Sequence, residues 1–314
     1  MRRADAALLA FFLFSAPAAA SAQSLTGALE WLPAGSLSAQ ALTRQPREVQ
    51  EGGSHQSFYA EFGRLAFRSP DILGGTARKA GLSCQACHTN GDINRDFFIP
   101  GLSDRAGRVD VSHAFWHARA EDHRDNPLEI PSLRAAKTRE RFGHDRRSGS
   151  LREFTRRVIV TEFGGAEPHA VLLDALVAYQ ETLLPGTWPD EPVTVEADMA
   201  DLLRHLDTLA LPLAEEDAAL AAEIALMVRG QIGFIHERFP DPDANSIRIV
   251  MEDWSRQLAK IVSLANSGDW PAARGMRDAL YNAVTGAIPD FTTRSGASLY
   301  NPRRLESWLS MRVQ

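Results

Sequence analysis

Residues 81–91 read GLSCQACHTNG and hold both cysteines of the chain, Cys84 and Cys87, with His88 directly after the second. Thiols at this spacing lie about one helical turn apart, so both can reach the same flat ligand. CxxCH is the pattern of covalent c-type haem attachment: the thiols add to the two vinyl groups, and the histidine that follows binds the iron. The spacing predicts Cys84 and Cys87 as thioether anchors and His88 as the proximal iron ligand. One haem c is the expected cofactor, because the chain has no further thiols. A dithiol oxidoreductase would want a strand before the motif and a βαβ surround, and a structural zinc would want a second ligand pair. A simple disulfide is the plain alternative for an exported chain.

Export is expected from the first residues. Arg2 and Arg3 precede the apolar run Ala7 to Phe14, and Ala20-Ser21-Ala22 offers a small-residue cleavage pattern. The run meets Ser15 and Pro17 well short of the roughly 20 apolar residues that span a bilayer. The reading is therefore a signal peptide over 1–22 and a periplasmic or otherwise exported protein with no integral membrane span after its removal. A formal charge of −6 argues against nucleic acid as a partner.

Outward from the motif, EFGRLAFRSPDILGGTARKAGLSCQACHTNG at 61–91 resembles the segment leading into a haem site in the bacterial cytochrome c peroxidase and MauG-type family. EIPSLRAAKTRERFGHDRRSGSLREF at 129–154 is similar to that family's PxLRN…YxHDGxxxxLxE segment. The resemblance covers roughly residues 58–184, one haem-bearing half, and does not extend to the C-terminal third. It implies a haem pocket that includes Arg134, a partner for a propionate, and His144. Family members carry two haems, whereas this chain has cysteines for one. Where the family tends to supply Met or Tyr to the iron, residues 157–165 read RVIVTEFGG.

The sixth iron position separates a carrier from a catalyst. His113 and His117 stand four apart, which on a helix would place both on one face, and His113 is the distal candidate. Glu162 is a possible acid-base group should that face be open. Met199 is a remote alternative ligand. Between Arg134 and Arg157, nine Lys and Arg face three acids, a patch suited to an acidic redox partner protein.

At 314 residues two domains are expected. An N-terminal arm over 23–57 leads into a cytochrome domain over 58–188, and Pro185, Pro189 and Pro192 mark the boundary to a helical bundle over 189–314. Apolar stripes at helical spacing run through Met199 to Leu209, Leu220 to Phe239, Ile247 to Ile261 and Met276 to Ile288, with a short last helix near Leu305 to Met311. The fold class is mainly α, a c-type cytochrome domain followed by an antiparallel helical bundle. The expected function is single-electron transfer by an exported monohaem cytochrome. The alternative is a haem peroxidase or oxidase with an open sixth position.

Overall fold

The computed structural model describes residues 42–53 and 56–312. The expected signal peptide and residues 23–41 of the arm lie outside the described residues. What is described is mainly helical.

Ser57 opens the first helix, α1 (Phe58–Arg68), by accepting a hydrogen bond from the Ala60 amide. Pro70 ends it, because the residue before a proline is driven to extended backbone, and Ser69 takes ψ 126°. Two short helices follow, α2 (Gly75–Lys79) and α3 (Cys84–Cys87). A loop region comes next, pinned by the antiparallel pair β2 (Arg108–Val109) and β3 (Leu128–Glu129). Helix α4 (Leu151–Arg157) is capped by Ser150 and runs into a π-helical turn, Val158–Glu162. Helix α5 (Ala170–Thr182) begins after Pro168, with the His169 ring accepting from the Leu172 amide.

The closest packing in this region is α1 against α5. Gly63 makes it possible: a Cβ there would lie well inside contact distance of the Ala175 carbonyl and 2.9 Å from Tyr179 Cβ. The rings of Phe67 and Tyr179 then meet at 5.1 Å.

The C-terminal stripes form helices α6 (Val195–Asp207), α8 (Ala218–Glu237), α9 (Asn245–Asn266) and α10 (Trp270–Arg294), with the short α7 (Ala210–Ala214) between the first two. α6 packs on α8, α8 on α9, α9 on α10 and α10 back on α6, which closes a four-helix ring. Short joins return each helix alongside the one before it. Met199, Leu202, Ile224, Met251, Leu258 and Leu280 fill its centre and are fully buried. Met199, the remote ligand candidate, is thus part of this packing. α8 is apolar and long enough to cross a membrane by length and composition; here it buries Ile224, Val228, Ile232 and Ile235 within the ring. The last helix, α11 (Pro302–Arg312), sets Leu305 and Leu309 with Leu299 against Leu42.

One hydrophobic cluster runs from Phe62 on α1 through Tyr179 on α5 to Met199, Ile224 and Phe291 in the ring. It crosses the expected boundary near residue 189, where α1 packs against both α6 and α8. The described part of the arm is tied across the same seam. Strand β1 (Arg44–Gln45) pairs antiparallel with β4 (Glu191–Pro192), and Gln50 bridges Leu183.

Candidate functional site

The single turn of α3 carries Cys84 and Cys87, and the His88 amide closes it by donating to the Cys84 carbonyl at 2.9 Å. The helix stops there for local reasons. His88 leaves helical geometry, and Asn90 and Gly91 both take positive φ, 53° and 76°. The carbonyls left over at its end are met by Asn94, whose amide donates to Cys87 O at 2.9 Å and whose side-chain Nδ2 donates to Ala86 O at 2.8 Å.

His88 is oriented by the main chain. Its Nδ1 lies 2.9 Å from the carbonyl oxygen of Pro131, a bond the ring makes as donor, since a carbonyl only accepts. The proton on Nδ1 leaves Nε2 as the unprotonated nitrogen. A histidine that binds a metal characteristically donates its other N–H to a carbonyl or carboxylate in this way. Burial lowers the His88 imidazole to about 4, the Pro131 bond opposes this, and the Arg139 guanidinium adds to the lowering. Burial also pushes the Cys84 thiol up to about 12 and the Cys87 thiol higher still. These are not the activated thiolates of a dithiol oxidoreductase, and both cysteines are free. Two free thiols on one turn beside an imidazole oriented by the main chain form a donor set that fits covalent haem.

The remaining sequence candidates are dispersed. His113 and His117 do not share a helix face, which corrects the expectation of an i,i+4 pair. The chain turns tightly from 111 to 120 around buried Trp116, whose Nε1 donates to Asp110 O at 2.7 Å. Each imidazole accepts the amide two residues on, Phe115 N at 3.0 Å for His113 and Arg119 N at 3.4 Å for His117. Such local bonds offer the backbone an alternative to the helix. His144 is exposed on the loop closed by the Phe142–Ser148 bridge. Arg134 is buried, and its guanidinium is directed at protein acceptors: Gly186 O at 2.9 Å, Arg47 O at 2.8 Å and Asp92 Oδ2 at 3.1 Å. It fastens the arm and the 186 loop to the segment after the motif. Glu162 ends the π-helical turn, and burial raises its carboxyl pKa against the opposing pull of Arg157.

The basic stretch 134–157 is partly neutralised in place. Arg134, Lys137, Arg152, Arg156 and Arg157 pair with Asp92, Glu51, Asp174, Glu167 and Asp145. Among the described residues Arg139, Arg141 and Arg146 are exposed and make no ion pair.

The rear of α3 meets a buried ionic network that the sequence did not announce. Gln85, Thr89 and Asn90 line a cavity of about 1040 Å³ together with Glu48 of the arm, Arg64 and Arg68 of α1, and Asp201 and Arg204 of α6. Arg64, only 3% exposed, bonds Glu48 at 2.8 Å, the Asp201 carboxylate and His205 Nε2 at 3.3 Å. Arg68 joins Glu48 at 3.1 Å to Asn90 Oδ1 at 2.8 Å, and the Tyr179 hydroxyl donates to Glu48 at 2.6 Å. Burial alone would raise the Glu48 carboxyl, but Arg64, Arg68 and Tyr179 outweigh it and hold it at about 2. The Asn-Gly pair at 90–91 is a local signal for the turn after the motif, not for the network behind it. Pro131 contributes through its main chain, which leaves no mark in the side-chain pattern.

Comparison of the chain with family models, curated proteins and solved structures returned no match in any of the three.

Proposed function

We propose that this chain is an exported monohaem c-type cytochrome, similar to one haem-bearing half of the cytochrome c peroxidase and MauG-type proteins, that passes single electrons to or from a redox partner protein. The observation that carries this reading is His88: its Nδ1 is engaged by Pro131 O, which leaves Nε2 as the unprotonated nitrogen, directly after a turn bearing two thiols. The haem, when bound, supplies a one-electron couple. Cys84 and Cys87 tether it, His88 holds the iron, Pro131 fixes the imidazole plane and tautomer, and Asn94 keeps the turn closed. Arg139, Arg141 and Arg146, exposed and without ion pairs among the described residues, give an acidic partner a complementary face.

Glu162 favours a second reading, a haem peroxidase or oxidase. A half-buried carboxyl with a raised pKa on a π-helical turn is the kind of group that can move a proton during peroxide cleavage.

A redox titration of the haem-loaded protein, followed by a peroxide assay with a reduced donor, separates the two. The carrier reading expects a reversible one-electron transition and no peroxide turnover above free haem. Sustained turnover that falls with Glu162→Gln would overturn it in favour of the peroxidase.

A further inference from the structure

We propose that the C-terminal bundle positions the haem-attachment turn from behind, and that Asp201 on α6 thereby sets the reduction potential of the site. The haem-dependent part of this proposal rests on the function proposed above; the mechanical part does not. Four side-chain steps connect the two regions. Asp201 takes a hydrogen bond from Arg64; Arg64 and Arg68 both bind Glu48; Arg68 donates to Asn90 Oδ1 at 2.8 Å. Asn90 then locks onto the motif itself. The Gln85 amide donates to Asn90 Oδ1 at 2.9 Å, the Asn90 main-chain N–H donates to Gln85 Oε1 at 2.9 Å, and Asn90 Nδ2 donates to Pro46 O at 2.9 Å.

Gln85 stands between the two cysteines and Asn90 two residues beyond the ligand, so the network grips both ends of the turn. The positive φ of Asn90 fits this role. A left-handed residue other than glycine is held by its surroundings, and here four hydrogen bonds hold it.

The charges explain why Asp201 matters electrically. Arg64 and Arg68 are balanced by Glu48 and Asp201, all four largely withdrawn from solvent. In such a setting charges are screened far less than at a surface. Neutralising Asp201 leaves uncompensated positive charge behind the attachment turn. That charge disfavours the more positive, oxidised state of the site and raises its potential. Arg204, which also binds Asp201, retains Glu61 at 3.7 Å as a partner, so the excess amounts to one charge. Asp201 is a positioning residue, since it acts through Arg64.

The test uses the haem-loaded chain. Asp201→Asn is compared with wild type and with Asp253→Asn, an exposed aspartate on α9. The expected results are a higher midpoint potential for Asp201→Asn than for either reference, and amide exchange over residues 84–92 faster by about tenfold, the loosening expected on losing a charge-assisted bond. Arg68→Met should speed the same amides, with Arg68→Lys restoring part of the protection. Should Asp201→Asn not fold, Glu48→Gln carries the same two expectations. A potential and an exchange pattern equal to wild type in a folded variant would overturn the proposal. Exchange is also read on the haem-free chain, so failure of wild type to take up haem would count against the proposed function while coupling is still judged.

Discussion

Gly63→Ala should destabilise the protein by about 3 kcal/mol, the upper end of what overpacking a well-filled contact costs. Alanine is the better helix former by about 1 kcal/mol, so an isolated α1 would gain from the change. The fold reverses that sign. The new methyl would meet the Ala175 carbonyl, a main-chain atom that cannot rotate away, and Tyr179 Cβ at 2.9 Å. α1 and α5 must then part, and the Phe67–Tyr179 contact parts with them. Urea unfolding followed by tryptophan fluorescence reads the effect. A midpoint at or above that of wild type would show that α1 and α5 are not packed as described.

Arg64→Met should have a comparable or larger effect, about 3–5 kcal/mol, the range for removing one partner of a buried ion pair. Methionine fills much of the space, but Glu48 and Asp201 would remain inside without their shared cation, and His205 Nε2 would lose its contact. Acid provides an independent view of the same network. Glu48 is held at about 2 against an ordinary 4.5, a depressed carboxylate. Its stabilising contribution is therefore complete above pH 4.5 and lost as pH falls towards 2, on the order of 3 kcal/mol over the window. Wild type should lose stability steeply between these values. Arg64→Met, already deprived of the main cation, should show a shallower slope, and equal slopes would remove Arg64 as the cause.

The elements built from periodic apolar residues were legible in the sequence. Leu172, Leu176 and Tyr179 face the core as their spacing implies, as do Met199, Leu202 and Leu206, because a helix of period 3.6 must bury its stripe. Val250 departs from its stripe and is 39% exposed, at the edge of a face that Ile247, Met251 and Trp254 already fill. The single turn carrying Cys84 and Cys87 was legible because two thiols three residues apart suit one turn of helix. The expectation for His113 and His117 differs from the structure because two histidines four apart fit a helix and a set of turns equally well. Trp116, inserted into the core, decided between them.

The network behind the motif was not legible for a different reason. Glu48 and Tyr179 are 131 residues apart, and Arg64 reaches 137 residues to Asp201. No local pattern encodes such pairings. The only trace is that Arg64 and Arg68, four apart, sit on a helix nearly all of whose residues are buried, where unpaired cations are not tolerated. Partners had to exist, but the sequence did not say where.

The most direct test of the account is the attachment itself. The chain would be produced with haem-attachment machinery, denatured, and read for bound haem by gel stain and intact mass beside Cys84→Ala with Cys87→Ala. The account predicts one haem retained per wild-type chain under denaturing conditions and none in the double variant. A wild-type chain that carries no covalent haem, or a double variant that still does, would contradict it.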